Sequence, residues 1–119
     1  MSFEKLEVFG NAPLPRFGHS ITLYAENKVC LFGGATGNTG QFSITDNTYT
    51  LDLNTRFWRK VECTGSSPSA RAAHGAVSVD TNKIVIYGGA TGSGGLASDD
   101  LFHLDLKEGL GVWNVINVR

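Results

Sequence analysis

The apolar positions of this chain fall in short runs broken by glycine, asparagine and polar turns. No segment carries a 3.6-residue apolar stripe over three turns, so the pattern predicts strands and no helix. Val29–Phe32 is continuously apolar, the mark of a strand buried on both faces. Ser20–Tyr24 precedes it; Thr48–Leu53 and Trp58–Cys63 follow it. A second set keeps the same order: Gly75–Val79, Ile84–Tyr87, Leu101–Leu106 and Trp113–Val118. Turn signals stand between the runs at Glu26-Asn27, the two Gly-Ala-Thr-Gly stretches, Asn54-Thr55 and Lys107-Glu108-Gly109.

The two sets are copies. Shifted by 55 residues, Asn27–Gly40 falls on Asn82–Gly95 with 8 of 14 positions identical. Pro13, Arg16, His19 and Trp58 meet Pro68, Arg71, His74 and Trp113 at the same shift. Asp46–Leu53 matches Asp99–Leu106 at 53 instead, a length change of the kind that loops absorb. Phe3, Lys5, Glu7 and Gly10 match Trp58, Lys60, Glu62 and Gly65, so Phe3–Val8 reads as the last strand of a preceding unit. The expected fold is all-β: residues 1–12 an orphan outer strand, 13–64 one four-stranded antiparallel unit and 65–119 a second.

Composition fits many turns and short strands. Glycine supplies 15 of 119 residues with only three prolines, and 41% of positions are hydrophobic, enough for a packed core. The net charge of −1 argues against a nucleic-acid or anionic-membrane partner held by bulk charge. No apolar run reaches 18 residues, and the first eight residues carry Glu4, Lys5 and Glu7, unlike a signal peptide. With two cysteines, Cys30 and Cys63, the expectation is a cytoplasmic or nuclear protein with reduced thiols.

Four-stranded units of about 50 residues are blades of a β-propeller. The first unit carries Pro13, Arg16, His19, Phe32-Gly33-Gly34, Tyr49, Leu51-Asp52-Leu53 and Trp58. The second carries Pro68, Arg71, His74, Tyr87-Gly88-Gly89, Phe102, Leu104-Asp105-Leu106 and Trp113. This order resembles the kelch repeat over nearly the whole chain; Phe102 departs from it, standing where that family usually has tyrosine. Gly33–Gly37, Ser43–Tyr49, Ala70–His74, Gly88–Gly92 and Gly95–Asp99 are more specific. Together they resemble the N-terminal kelch region of the Ser/Thr protein phosphatases with kelch-like domains, found in plants and in apicomplexan and related protists. That resemblance implies a propeller placed before a type-1-like phosphatase domain. Any two metal ions would belong to that downstream domain, since the Asp-x-His, Gly-Asp and Gly-Asn-His-Glu type motifs of its metal site are absent here.

No catalytic apparatus is legible in the chain itself. The Gly-Gly-Ala-Thr-Gly stretches lack both a following helix and the Gly-Lys-Ser/Thr of a phosphate loop. Gly33, Gly34, Gly88 and Gly89 are expected to end strands at positive φ and to let neighbouring strands approach. His19 and His74 recur at one blade position and read as scaffold. Arg16 and Arg71 recur likewise: they either satisfy loop carbonyls of the next blade or reach a partner on one face. Asp46-Asn47 and Asp99-Asp100 read as turn caps, and Trp58 and Trp113 as packing between sheets. Neither cysteine stands at metal-ligand spacing from a histidine, and no cofactor is expected in this chain.

Recognition is left to the segments after the double glycines, Thr36–Thr45 and Thr91–Ser98. Gln41, Phe42, Ile44 and Leu96 are candidate partner contacts there, and Phe42 either anchors a partner or packs under its own loop. A propeller needs about 4–8 blades to close, and two leave apolar faces open. The chain is therefore expected to be a piece of a longer protein, cut between blades near Arg119, that self-associates alone. A trimer closing six blades, or less regular edge pairing, is the other outcome. The function implied is a protein-interaction module that positions or regulates an attached Ser/Thr phosphatase. The alternatives are a scaffold or adaptor such as a ubiquitin-ligase substrate receptor, or a propeller enzyme with a central-channel site.

Overall fold

In the computed structural model, residues 7–38, 41–91, 95–96, 101–107 and 109–116 are described. Their elements run β1 (Phe9–Gly10), β2 (Arg16–Phe17), β3 (Ser20–Tyr24), β4 (Lys28–Phe32), β5 (Ala35–Asn38), β6 (Gln41–Ile44), β7 (Thr48–Asp52) and β8 (Phe57–Lys60). They continue β9 (Glu62–Gly65), β10 (Arg71–Ala72), β11 (Gly75–Val79), β12 (Lys83–Tyr87), β13 (Ala90–Thr91), β14 (Leu101–Lys107) and β15 (Leu110–Ile116). No helix occurs among the described residues. Two five-stranded sheets form, ordered β1-β8-β7-β4-β3 and β11-β12-β14-β15-β9. In each, four antiparallel strands come from one repeat unit, and the fifth is a parallel strand from the preceding segment.

That fifth strand corrects the expected outer strand Trp58–Cys63. β8 pairs antiparallel with β7 in the first sheet, Tyr49 opposite Lys60. β9, one residue later, runs parallel to β15 in the second sheet, Glu62 opposite Leu110. The chain changes sheets at Val61, whose side chain is buried in the core between them. Burying that valine turns the following backbone toward the unpaired edge of β15, where its hydrogen bonds are satisfied. Phe9–Gly10 repeats the arrangement on β8. The proposed strand Phe3–Val8 falls outside the described residues except for Glu7 and Val8, which are not in a strand.

Pleating sorts the side chains of each sheet onto two faces. Pairing of β3 with β4 puts Thr22, Tyr24, Cys30 and Phe32 on one face of the first sheet and Ile21, Leu23, Val29 and Leu31 on the other. In the second sheet Ala76, Ile84, Ile86, Phe102, Leu104 and Trp113 share one face; Val77, Val79, Val85, Tyr87, Val112 and Ile116 share the other. The core is the seam where the first of these faces meets the third. Tyr24, Cys30 and Phe32 pack there with Ile84, Ile86, Phe102, Leu104 and Trp113, and Phe32 meets Trp113 edge-on at 5.2 Å. Burial drives the Cys30 thiol and the Tyr24 hydroxyl each up to about 12, so both stay neutral.

The other two faces are open. Ile21 is 60% exposed and Leu23 55% on the first sheet; Val77 is 56% exposed and Tyr87 49% on the second. The backbone stitches the seam further: Gly34 N–H donates to Arg71 O at 2.9 Å, Ala73 N–H to Gly18 O at 2.7 Å and Ala25 N–H to Thr81 O at 2.8 Å.

His74 bridges the sheets. Its Nε2 lies 2.9 Å from Ser20 Oγ and its ring meets Phe32 edge-on at 5.3 Å. Nδ1 is buried without a partner, so the tautomer that leaves Nδ1 bare places the proton on Nε2, which donates to Ser20. Protonation would bury a second N–H with no acceptor. Burial first, then the Arg71 guanidinium, accordingly hold His74 below its ordinary 6.5 despite a backbone hydrogen bond at Phe32. A histidine kept neutral by folding takes up its proton on unfolding. Stability is therefore full above pH 6.5 and falls as the pH drops from 6.5 toward the lowered folded value. Urea midpoints at about pH 7.5 and about pH 5 should show this loss, and His74→Gln should make it smaller.

Candidate functional site

The paired glycines end β4 and β12 as expected, with φ of 70° and 95° at Gly33 and Gly34 and 76° and 100° at Gly88 and Gly89. After the first pair the chain rises into a small sheet ordered β2-β5-β6. Within Thr36–Thr45, read from sequence as a loop, β5 and β6 pair antiparallel: Ala35 opposes Ile44, and Gly37 opposes Phe42. β2 adds Phe17 opposite Ala35. Phe17, Ile44 and Phe42 consequently share one face of the small sheet, with Ala35 and Gly37 too small to cover them.

Phe17 and Phe42 meet edge-to-face, centroids 5.0 Å apart, and both are exposed. Phe42 therefore does not pack beneath its loop; it stands on the surface, braced by a second ring. Ile44 is half-buried on the same face, and Leu14, just upstream of β2, is 69% exposed. Gln41 pairs with Asn38 through the backbone, and its side chain lies outside the described residues. In the second unit Leu96 is 90% exposed and bridges to Ala90; most of Thr91–Ser98 lies outside the described residues.

Phe17 and Leu14 were missed from sequence. The signal was present: Arg16-Phe17-Gly18-His19 repeats as Arg71-Ala72-Ala73-His74, so Phe17 is an apolar side chain added to a motif that does not need it. Patches of this kind on a rigid scaffold suit an apolar side chain of a partner.

The arginines act within their own unit, which corrects the expectation that they serve the next blade. Arg16 Nη1 donates to Gly33 O at 3.1 Å and to Thr45 Oγ1 at 3.3 Å, with its guanidinium 5.4 Å from the Tyr49 ring centre. Arg71 Nη1 donates to Gly88 O at 3.1 Å, Nε to Ser69 O at 3.1 Å and Nη2 to Ser69 Oγ at 3.1 Å, over Phe102. Each arginine ties the strand before the histidine to the glycine turn 17 residues on. Arg71 is 2% exposed and offers no surface to a partner; Arg16 is half-buried. Trp113 lies in the seam, whereas Trp58 is half-buried, paired opposite Leu51 on the open side.

Asp52 Oδ1 caps its turn through the N–H groups of Asn54 and Thr55, and Asp105 Oδ1 accepts from Asn82 Nδ2. Asp46 is exposed, and Asp99 and Asp100 lie outside the described residues. On the side of the molecule opposite the small sheet, a cleft of about 780 Å³ opens between the two large sheets, lined by Tyr24, Lys28, Asp52, Arg59, Asn82 and Leu106 among others. Among the described residues no three His, Cys, Asp or Glu side chains come together to hold a metal, and no helix is long and apolar enough to cross a membrane.

Comparison with known proteins agrees with this architecture. The family model of the KLHDC2/KLHL20/DRC7 Kelch-repeats domain matches residues 1–119. Adagio protein 3 of Arabidopsis thaliana is 32% identical over 114 residues, covering 90% of this chain and 18% of that protein. Acyl-CoA-binding domain-containing protein 5 of the same plant is 32% identical over 94 residues, covering 79% of this chain and 14% of that protein. The chain thus spans under a fifth of the length of these curated relatives. A chain in the cryo-EM structure of RAG in complex with one melted RSS and one unmelted RSS superposes with a TM-score of 0.69 at 18% identity, over 98% of this chain and 37% of that one, which shows the shared fold. With one family model spanning the whole sequence and the repeat motifs seated in two packed five-stranded sheets, the chain belongs to the kelch-repeat family and forms two blades of a partial β-propeller.

Proposed function

We propose that this chain is a protein-interaction module whose partner contact is the aromatic pair Phe17 and Phe42, with Leu14 and Ile44 beside it. The observation that carries this reading is two exposed rings meeting edge-to-face, Phe42 on the β5–β6 hairpin and Phe17 on the β2 strand paired to it. Such pre-organised aromatic surface loses little entropy on binding. The blades serve as the frame, and their two open faces are covered by further blades of the same kind; alone, the chain associates through those faces.

The finer reading is that the module positions an attached Ser/Thr phosphatase in the cytoplasm or nucleus. Its support is the wording of Gly33–Gly37, Ser43–Tyr49 and Ala70–His74, which resembles the kelch region of those enzymes. An antibody against these blades tests it: precipitates from source cells should carry Ser/Thr phosphatase activity on one polypeptide much larger than 12.7 kDa. A kelch-bearing polypeptide without that activity removes the phosphatase and leaves the interaction module.

The contact surface has its own test. Phe42→Ala should change stability by no more than about 1 kcal/mol, because the ring is half in water. Affinity capture with the wild-type chain and with Phe17→Ala/Phe42→Ala should differ by about tenfold or more in the recovery of a specific partner, as loss of a hot-spot anchor does. Identical recovery by both would place recognition elsewhere.

A further inference from the structure

The seam between the blades is the template for whatever covers the two open faces, because the repeat puts its two halves there again. Shifted by 55 residues, Tyr87 occupies the place of Phe32 and Gly88 the place of Gly33 on the open face of the second blade. Gly33 is where the seam seats His74: a Cβ there would lie 2.9 Å from His74 Cε1. A Cβ at Gly88 would meet nothing within 4 Å, so the corresponding seat is uncovered. On the open face of the first blade His19 occupies the place of His74, and its Nδ1 is likewise buried without a partner. One part of the template does not recur. Ser20 Oγ, which accepts from His74 in the seam, corresponds to Gly75.

A second copy docked head to tail would therefore bury the Nε2–H of His19 against Gly75, which has no hydroxyl where the seam has that of Ser20. A buried donor without an acceptor costs more than the bond it replaces would have gained. We propose that the open face of the first blade is shaped for a kelch blade unlike the second one, whose innermost strand opens on serine or threonine, and that Gly75 keeps the association of copies of this chain weak. This rests on the reading that further blades cover the open faces. His19 is then a positioning residue, selecting which blade can precede this pair.

The experiment is the self-association of the 119-residue chain, followed by sedimentation velocity. A Cβ at Gly75 meets only Tyr87 O at 3.7 Å, so Gly75→Ser fits the fold. Gly75→Ser should tighten association by about tenfold, the effect of supplying one buried hydrogen bond and relieving one unpaired donor. Gly75→Ala should not, which separates the hydroxyl from the loss of glycine flexibility. Adding His19→Ala to Gly75→Ser should return association to the wild-type level. Equal association of the serine and alanine variants overturns the proposal, as does a wild-type chain that already closes into a tight ring. Ile21→Lys and Val77→Lys separate this from the parent reading. If both abolish association while Gly75→Ser changes nothing, only the role of Gly75 fails. If neither affects association, the open faces are not the contact surface and the covering-blade reading fails with it.

Discussion

Replacing Trp113 by alanine is expected to destabilise the chain by about 3–5 kcal/mol, while Trp58→Ala costs no more than about 1–2 kcal/mol. The two tryptophans hold the same place in the repeat, 55 residues apart. Trp113 is 2% exposed and packs on Phe32 and Leu104, so its loss removes transfer energy and leaves a cavity at the seam. Trp58 lies on the face that no blade covers, where water already reaches it. Chemical denaturation of the two variants measures the difference. Equal costs would mean that both blades are covered to the same extent, and the seam would not be the centre of stability.

Gly33→Ala should be nearly as damaging, about 3 kcal/mol or more, whereas Gly88→Ala should cost about 1–2 kcal/mol. Both glycines have left-handed backbones, with φ of 70° and 76°. That strain is common to the pair. A Cβ at Gly33 would in addition sit 2.6 Å from Arg71 O, a backbone atom fixed by the Gly34 N–H, and 2.9 Å from His74 Cε1. At Gly88 it meets only solvent. The Gly33 variant should also lessen the acid sensitivity of the chain, because a displaced His74 ring is no longer held neutral by burial. Thermal melts of both variants, with the wild type beside them, test the asymmetry.

The blades were legible in the sequence because their repeat is written in local patterns. The inner strands Ser20–Tyr24 and Gly75–Val79 appear with the bounds that the apolar pattern gives them. What was hidden depends on partners distant in sequence. Nothing between Trp58 and Cys63 interrupts a strand pattern, yet the chain leaves one sheet for the other at Val61, because the edge of β15 lies across the seam. The hairpin β5–β6 was hidden for a different reason. Gly37 and Asn38 have low strand propensity, and what holds them extended is register: Phe42 opposite Gly37, under the edge of Phe17.

Equivalent residues with unequal surroundings set the other limit. Arg16 and Arg71 have the same motif and the same bond to a glycine carbonyl, but only Arg71 lies at the covered seam and is buried. Burial pulls the Arg71 guanidinium below its ordinary value. Sequence identity across a repeat predicts role; it does not predict burial, which is decided by the neighbour on each side. The contact between His74 and Ser20 is likewise invisible in either unit alone, since it joins positions 54 residues apart across two sheets.

That the two outer faces are halves of one interface is tested most directly by measuring the mass of the chain in solution against concentration, for the wild type and for Ile21→Lys. Ile21 is 60% exposed on a face whose counterpart in the second blade is fully engaged, so a lysine there leaves the fold intact and places a charge in the contact. The wild type should rise above 12.7 kDa with concentration while Ile21→Lys stays at the monomer mass. A wild-type chain that remains a 12.7 kDa monomer at every concentration, or an Ile21→Lys variant that associates as the wild type does, would contradict it.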